Sequence, residues 1–388
     1  MKRQLETAFI QACTRFKGVA VIGPRQSGKT TLVRALCADR PYVSLEEPDI
    51  RDFACSDPRR FLAAYPDGAV LDEVQRVPDL LSYLQGILDA ETRPGRWILT
   101  GSQSFALAPG IRQSLAGRVA HLRLLPFSLG ELQAAGALPP SLDAVLLTGG
   151  YPPIYDQGHE PGPWLDAYIQ TYVDRDIRDL VNVRDLQLFR RFVRLCAARV
   201  GCQLNQSELG QAVGITQPTA RAWFDCLETS FITLRLQPWH RNLGKRITKT
   251  PKLYFTDVGL AARLQGIRSA EQLALHPARG ALFENLVVVE ALKAAWHRGE
   301  DSCGWYWRDR SGTEIDLILE RGEHVLPIEC KSGATIASDW DTRLQQWSSG
   351  LTSDEPWLIY GGDTTQPRRT LTIAWRDMAT RLGDWFRR

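Results

Sequence analysis

Residues Gly23 to Thr30 are the part of the chain best suited to chemistry, because they match the phosphate-loop pattern: two glycines separated by four residues, then a lysine and a hydroxyl residue. Backbone N–H groups of such a loop curl around phosphate oxygens, and the following helix turns its positive end toward them. Lys29 is expected to reach the β- and γ-phosphates, and Thr30 to ligate Mg²⁺. The pattern predicts ATP and Mg²⁺ as cofactors. The predicted contact set is Gly23, Pro24, Arg25, Gln26, Ser27, Gly28, Lys29, Thr30 and Thr31.

The flanking segments supply the elements that must position this loop. The apolar run Gly18 to Ile22 predicts a buried strand before it, and Thr31 to Leu36 predicts a helix after it. An ordinary glycine turn is the alternative. The order strand, loop, helix favours the nucleotide site.

A second apolar run, Ala69 to Leu71, ends in Asp72-Glu73 and looks like a Walker B element. Asp72 is expected to hold Mg²⁺ through water, and Glu73 to orient or deprotonate the attacking water. The alternative is an acidic pair that caps a strand. The distance from the phosphate loop favours the catalytic interpretation.

A third predicted strand, Arg96 to Thr100, runs into Gly101-Ser102-Gln103. Ligands of open α/β sheets bind at the carboxyl ends of the strands. Ser102 is therefore a candidate sensor of the γ-phosphate or of the attacking water.

The motifs GPRQSGKTT, LDEVQ, LTGSQ and SLAGR, with the later Gly149-Gly150-Tyr151-Pro152, resemble a family of prokaryotic AAA-superfamily ATPases. Its members are described mostly as ATP-binding proteins with a C-terminal domain of unknown function, and the resemblance covers nearly the whole chain. It implies an AAA-type core in which Arg118 acts as an arginine finger on a neighbouring subunit, with Arg112 as second candidate. A finger supplied in trans implies a homo-oligomer. A surface arginine with a local partner is the alternative.

Composition sets wide limits on function. The chain has 388 residues, a formal charge of +3 and eight cysteines, none of them in a Cys-x-x-Cys pair. This charge is too small to indicate a nucleic-acid partner, and the cysteine spacing fits neither a zinc site nor a disulfide framework. The amino end lacks the apolar core of a signal peptide, and no run approaches membrane-spanning length. A cytoplasmic protein without a membrane partner is expected.

The middle of the chain predicts a helical lid over residues 128–185 and a winged helix over residues 186–265. A helix capped by Asn205 or Ser207 and ending at Gly214 is followed by a second helix that starts near Thr216. The second helix should present Gln217, Thr219 and Arg221 to DNA. Two strands then flank a basic stretch that suits a phosphate backbone, with Arg241, Lys245, Arg246, Lys249 and Lys252. A protein-interaction module is the alternative.

Residues 314–331 predict a β-hairpin around a Gly322-Glu323 turn. The turn places Arg321 opposite His324, which puts Asp316 opposite Glu329 and Glu314 opposite Lys331. Two facing carboxylates, about 5 Å apart at their Cβ atoms, repel each other unless a cation lies between them. Mg²⁺ accepts such ligands, and Lys331 can orient a water or stabilise charge on a phosphate.

This hairpin resembles the PD-(D/E)XK nuclease superfamily, in which an upstream helical glutamate often completes the metal site. The resemblance implies Asp316, Glu329 and Glu284 as metal ligands, and Asp316, Glu329 and Lys331 as catalytic residues. No proline precedes Asp316, so the motif is short, and a hairpin with a charged solvent face is the alternative. Such folds also persist as binding modules that do not cleave.

The expected architecture is a multidomain α/β protein: an AAA-type core at residues 1–127, the lid at 128–185, the winged helix at 186–265 and a nuclease-like domain at 266–388. The leading functional hypothesis is an oligomeric ATPase coupled to a Mg²⁺-dependent DNA endonuclease. The alternative is a nucleotide-switched DNA-binding or scaffold protein with a regulatory or defence role.

Overall fold

A computed structural model describes residues 1–103, 115, 117–176, 185–240, 250–301, 303–348 and 354–387, with backbone only for residues 173–176. The chain forms two compact units. The first contains residues 1–126, 229–231 and 296–300, and the second contains residues 127–228, 232–295 and 301–388. Among the described residues, no helix is both long and apolar enough to cross a membrane.

The first unit is built on a five-stranded parallel sheet of order β2-β3-β4-β1-β5. Its strands are β1 (Gly18–Ile22), β2 (Tyr42–Ser44), β3 (Val70–Asp72), β4 (Trp97–Gly101) and β5 (Val119–Arg123). Its helices are α1 (Glu6–Arg15), α2 (Lys29–Leu36), α3 (Pro48–Ser56), α4 (Pro58–Ala63) and α5 (Leu80–Ala90), with a 3₁₀ turn at Val74–Arg76.

Apolar residues on both faces of β1 explain its internal place in this sheet. All five of its residues are buried, as is usual for a parallel strand covered by helices. Phe9 of α1 and Val33 of α2 pack with Val19 and Val21 in one apolar cluster. Strand β4 lies between β1 and β3, so the carboxyl end of β4 separates the phosphate loop from the end of the Asp72 strand.

The second unit begins with a helical region. Its elements are α6 (Leu129–Ala134), α7 (Leu142–Thr148), α8 (Pro152–Asp156), α9 (Pro161–Tyr168) with a π-helical continuation at Ile169–Asp176, α10 (Leu186–Ala198), α11 (Gln206–Val213) and α12 (Gln217–Thr229). A two-stranded antiparallel sheet follows, with β6 (Thr233–Leu236) and β7 (Lys252–Phe255).

The predicted helix pair is confirmed in detail. Asn205 caps α11, because its side-chain oxygen accepts from the Glu208 N–H at 3.1 Å. The helix ends at Gly214, whose φ of 84° is in the left-handed region that favours glycine. Thr216 then accepts a bond from the Thr219 N–H at 3.3 Å at the start of α12.

The Gly149-Gly150 pair, which lies between α7 and α8 in the chain, requires glycine because it packs closely against Asp257 and Phe127. A Cβ on Gly149 would overlap the Asp257 carboxylate, and one on Gly150 would overlap the Phe127 carbonyl oxygen. Asp257 accepts hydrogen bonds from the Gly150 N–H at 2.7 Å and from the Leu260 N–H at 2.9 Å. The second bond caps α13 (Val258–Leu264), so one carboxylate joins distant parts of this unit.

The rest of the second unit is a six-stranded mixed sheet of order β12-β13-β11-β10-β9-β8 with helices around it. The remaining helices are α14 (Ala270–Leu275), α15 (Arg279–Trp296), α16 (Thr342–Ser348) and α17 (Met378–Trp385). The strands are β8 (Gly304–Arg308), β9 (Glu314–Arg321), β10 (His324–Lys331), β11 (Trp357–Tyr360), β12 (Gln366–Pro367) and β13 (Leu371–Ala374).

The predicted hairpin register of β9 and β10 is confirmed from Arg321–His324 through Leu317–Ile328. Gly322 has a φ of 62°, which is the positive angle that the turn requires. The face of the hairpin that carries Asp316 does not fit the alternative of a charged solvent face. Ile318 on that face is fully buried in an apolar cluster with Trp239 and Trp347, because helix α16 and the segment after β6 cover it.

Candidate functional site

The phosphate loop has the backbone that its sequence predicts. A Cβ on Gly23 would overlap the Leu124 carbonyl oxygen, so this position requires glycine. Gln26 and Gly28 both have positive φ, at 66° and 90°. The Ser27 Oγ is buried and has no hydrogen-bond partner among the described residues, so the curled loop keeps a polar atom available for a phosphate oxygen.

Lys29, the first residue of α2, lies inside this loop. Its side chain is 4% exposed, and its Nζ donates to the carbonyl oxygens of Gly23 at 3.0 Å and Pro24 at 2.8 Å. Burial lowers the pKa of this ammonium group, whereas Glu73 and Asp72 act in the opposite direction. The ammonium group is thus held where the loop curls.

Asp72 and Thr30 come together as the sequence predicts for a cation site. The Thr30 hydroxyl donates to an Asp72 carboxylate oxygen at 3.1 Å. Tyr42 and Thr100, whose role no sequence motif marks, also bond to this carboxylate and hold it from neighbouring strands. Oxygen ligands of this kind fit Mg²⁺, so Thr30 and Asp72 are suitable residues to hold the ion.

Glu73 and Ser102 form a second polar contact beside Asp72. The Ser102 hydroxyl donates to the Glu73 carboxylate at 2.9 Å. Gln75 bonds to the same carboxylate and donates to Ser102 Oγ at 2.9 Å, so it completes a triangle that the sequence pattern did not reveal. Glu73 has a φ of 58°, and its N–H donates to Thr100 Oγ1 at 3.2 Å. The acid is fixed at the carboxyl end of the sheet.

Arg3 is a positioning residue of the loop that sequence reasoning missed. Its guanidinium donates to the carbonyl oxygens of Ser27 and Leu125, both at 2.6 Å, and the side chain is almost fully buried. No motif marks an arginine so close to the amino end, because only the fold brings it to the loop.

Arg118 lies just before β5, and its carbonyl accepts from the Gly18 N–H at the start of β1. Its guanidinium pairs with the Asp89 carboxylate, with an Nη2–Oδ2 distance of 3.1 Å. Because β1 and β5 are parallel, Arg118 lies at the end of the sheet opposite to its own phosphate loop. Arg112 is outside the described residues.

An acidic cluster lies in the second unit, where two elements supply three carboxylates: Glu284 from α15, and Glu314 and Asp316 from β9. Oxygen atoms of these three groups lie within 4.8 Å of one another. Asp316 accepts from the Cys330 N–H at 2.8 Å, which ties its carboxylate to β10. Glu284 accepts from the Tyr254 hydroxyl at 2.5 Å. The cluster contains two of the three predicted ligands, together with Glu314.

Glu329, the third predicted ligand, lies outside that set of three. Its Oε1 accepts from Lys331 Nζ at 2.7 Å, and its Oε2 is buried without a hydrogen-bond partner among the described residues. Burial raises the pKa of Glu329, and the Asp316 carboxylate raises it further. The Glu329 carboxylate is therefore close enough to interact electrostatically with the cluster, although the cation that it bonds to is Lys331.

Lys252 corrects the picture of a basic wing. Its place in the basic stretch predicts a cation that faces DNA. Instead, its side chain is only 2% exposed, and its Nζ lies 2.7 Å from Glu284 Oε1 and also bonds to Glu314. Burial alone would lower the pKa of Lys252, but Glu284, Asp316 and Glu314 outweigh it and raise the pKa. The sequence of β7 gives no sign of these contacts, because Glu284 and Glu314 lie far along the chain.

The acidic cluster has the donor set that a divalent cation requires. Carboxylate oxygens from Glu284, Glu314 and Asp316 are hard ligands of the kind that Mg²⁺ or Mn²⁺ accepts, and the unpartnered oxygen of Glu329 adds a further polar atom nearby. Burial raises the pKa of both Glu284 and Asp316, and Lys252 opposes the rise. These residues fit a cation.

The helix-turn-helix surface keeps two of its predicted contacts exposed. Gln217 and Arg221 face solvent on α12, while Thr219 is half-buried and shares a hydrogen bond with Thr216 at 2.9 Å. Arg221 has an Asp225 carboxylate 3.9 Å away. The other predicted contacts, Arg241, Lys245, Arg246 and Lys249, are outside the described residues.

Family models match three consecutive parts of the chain. Residues 15–133 match an AAA domain, residues 140–271 match the domain of unknown function DUF8612, and residues 279–376 match the domain of unknown function DUF4143. The phosphate loop, the Asp72 strand and the parallel sheet all lie within or beside the first match. The site and the fold therefore define residues 15–133 as a P-loop ATPase domain of the AAA type.

Two curated mycobacterial proteins are similar over most of the chain. The uncharacterized protein Rv2008c of Mycobacterium tuberculosis is 31% identical over 337 residues, which cover 86% of this chain and 74% of that protein. The uncharacterized protein Mb2031c of Mycobacterium bovis matches with the same identity and coverage. The chain belongs to the same family as these two proteins.

Two solved structures are more distantly similar. The Walker-type ATPase PABY2304 of Pyrococcus abyssi is 15% identical, with a TM-score of 0.45, over 68% of this chain and 95% of that one. The STAND protein PH0952 of Pyrococcus horikoshii, with a tetratricopeptide repeat sensor, is 12% identical, with a TM-score of 0.29, over 78% of this chain and 48% of that one.

Proposed function

We propose that this protein hydrolyses ATP with Mg²⁺ and couples the hydrolysis to DNA processing, in which the acidic cluster of the second unit cuts phosphodiester bonds. The observation that carries the nuclease part is the convergence of carboxylate oxygens from Glu284, Glu314 and Asp316 within 4.8 Å. The winged helix, residues 186–265, would engage the DNA backbone, and residues 266–388 would form a domain of the PD-(D/E)XK type.

In the ATPase reaction, the residues of the first unit divide the work. The loop amides and Lys29 would bind the phosphates, and Thr30 and Asp72 would hold Mg²⁺, which when bound offsets phosphate charge. Glu73 would orient the attacking water and accept its proton, and Ser102, whose hydroxyl lies 2.9 Å from Glu73, would keep this carboxylate aimed. Arg118 would act on the nucleotide of a neighbouring subunit, which makes the active form a homo-oligomer.

In the nuclease reaction, Glu284, Glu314 and Asp316 would hold Mg²⁺ or Mn²⁺, which when bound polarises the phosphate. Glu329 would join them as a ligand or a base, and Lys331, 2.7 Å from it, would stabilise charge that develops on the phosphate. The Cys330 N–H bond to Asp316 would keep that ligand in place during the reaction.

We expect Asp316→Asn to reduce metal-dependent DNA cleavage by about 100-fold, because it removes a ligand charge at the reacting phosphate. Duplex, branched and single-stranded DNA would be incubated with Mn²⁺ or Mg²⁺ and resolved on gels. Asp339→Asn, at an exposed acid in the same unit, is the matched control and should cleave like the wild type. No cleavage by the wild type, or equal cleavage by all three proteins, would remove the nuclease proposal.

For DNA binding, Arg221→Ala should weaken affinity and make the slope of log affinity against log salt concentration less steep by about one, because one phosphate contact is lost. Fluorescence anisotropy at several salt concentrations measures both quantities. The control is Arg369→Ala, at an exposed arginine outside the helix-turn-helix. If both variants lose affinity equally, the helix-turn-helix is not the DNA surface.

One observation favours a second candidate function, a nucleotide-switched DNA-binding or scaffold protein that does not cleave. The Lys252 ammonium already bonds to Glu284 and Glu314 and offsets part of their charge. In this alternative the acidic cluster stabilises the fold, and ATP changes the arrangement of the domains. The cleavage assay above separates the two functions.

A further inference from the structure

The feature that carries a further inference is the position of the Lys252 ammonium. Its Nζ lies 2.7 Å from Glu284 Oε1, also bonds to Glu314, and lies 5.6 Å from the centre of the Tyr306 ring. An ammonium group that is only 2% exposed requires compensation by nearby anions, and this one obtains it from the acidic cluster.

The backbone that carries Lys252 is held on both sides. Leu236 of β6 pairs with it in the small antiparallel sheet, and Gln203 forms a bridge to it from the other side. The next residue, Leu253, donates its N–H to the Cys202 carbonyl at 2.9 Å. The Lys252 Cα is therefore fixed, and the side chain alone decides whether the ammonium enters or leaves the cluster.

The oxygens that hold this ammonium are the same ones that a divalent cation would use. Three carboxylates with oxygens within 4.8 Å of one another enclose room for one cation. Mg²⁺ requires oxygens at about 2.0–2.1 Å, which is closer than the oxygens of an ammonium hydrogen bond, so the two cations cannot share the position. The buried Glu329 Oε2, which has no hydrogen-bond partner among the described residues, is an independent sign that the region can bind a further cation.

We propose that Lys252 is an internal competitor for the metal site: a divalent cation binds to Glu284, Glu314 and Asp316 only when the Lys252 side chain leaves them. This inference rests on the proposed nuclease function, since it takes the cluster to be a cation site. Because the Lys252 backbone is held on both sides, the ammonium leaves the cluster by rotation of the side chain alone.

Mn²⁺ binding to the full-length chain without nucleotide tests this proposal, with free Mn²⁺ measured by electron paramagnetic resonance. Only the binding that Asp316→Asn abolishes is counted, which excludes ions held elsewhere. We expect Lys252→Met to bind Mn²⁺ at least tenfold more tightly than the wild type. Lys331→Met is the matched control: it removes a lysine that bonds to Glu329 at 2.7 Å but is one-third exposed, and its affinity should rise much less.

The outcomes distinguish the two proposals. If the wild type and Lys252→Met bind equally tightly at the Asp316-dependent site, the competition is wrong and the metal site stands. If Lys331→Met gains as much as Lys252→Met, the effect is general electrostatics and the competition is also wrong. If none of the proteins shows Asp316-dependent binding, the metal site and the competition both fail.

Lys252→Met leaves buried carboxylates without a cation, so a second variant guards against loss of folding. Lys252→Met combined with Glu314→Gln removes one charge of each sign and keeps Glu284 and Asp316. It should still bind Mn²⁺ more tightly than the wild type, and a given Mn²⁺ concentration should raise its Tm by more than that of the wild type. A folded double variant with wild-type affinity would overturn the proposal.

Discussion

Lys29→Ala is expected to lower the rate of ATP hydrolysis by about 100-fold or more. The substitution removes the ammonium group that lies inside the phosphate loop, where it would bind the phosphates. Lys29 is nearly buried and its Nζ is oriented by the Gly23 and Pro24 carbonyl oxygens, so no neighbouring cation can take its place without moving. The measurement is steady-state phosphate release with Mg²⁺, together with nucleotide binding.

Glu73→Gln separates binding from chemistry at the same site. The glutamine can keep the contact with Ser102 but cannot accept a proton from water, so ATP should bind while hydrolysis slows to a similar degree. Arg34→Ala, on the same helix as Lys29 but stacked on the Tyr42 ring, is the matched control and should retain most of the activity. Unchanged turnover in both Lys29→Ala and Glu73→Gln would show that the catalytic site lies elsewhere.

Asp257→Ala is expected to have the largest effect on stability, a loss of about 3 kcal/mol in the free energy of unfolding of the second unit. The carboxylate is 2% exposed and accepts from the N–H groups of Gly150 and Leu260, at 2.7 and 2.9 Å. Its removal leaves two buried donors without partners, and each costs about 1–3 kcal/mol, partly offset because a buried carboxylate is also removed. Urea denaturation followed by circular dichroism measures the change.

Asp185 offers a matched control for that prediction. It also caps a helix, by accepting from the Gln187 N–H at 2.8 Å and the Leu188 N–H at 3.1 Å, but it is exposed. Water can replace its bonds, so Asp185→Ala should cost only about 1 kcal/mol. Equal losses for the two variants would mean that burial of Asp257 does not matter and that helix capping accounts for the whole effect.

The local features of this protein followed from sequence because each depends on residues close together in the chain. The phosphate loop requires glycines at fixed positions and a helix directly after it, and the structure has both. The Gly322 turn set the register of β9 and β10 because the two strands have no freedom to slip once the turn is formed. The capped helix α11 and its Gly214 end were predictable for the same reason.

The partners of the catalytic residues were not predictable, because they arrive from other strands. Tyr42 and Thr100 hold Asp72, and Gln75 bonds to Glu73. Sequence patterns place acids at the end of a strand, but they do not state which neighbouring strand lies beside it. The order β2-β3-β4-β1-β5 decides that Thr100 and Ser102 face Asp72 and Glu73.

The sequence by itself determined that the chain has a phosphate loop, an acidic strand end, a helix-turn-helix pair and a hairpin with two acids, since each is written in neighbouring residues. Only the tertiary structure decided what surrounds them. Lys252 looked like one more cation of a basic surface, yet folding brings it to Glu284, 32 residues further on, and to Glu314. The role of a lysine depends on the charged groups that lie near its ammonium in the folded chain. Here those groups come from parts of the chain that no local sequence pattern connects.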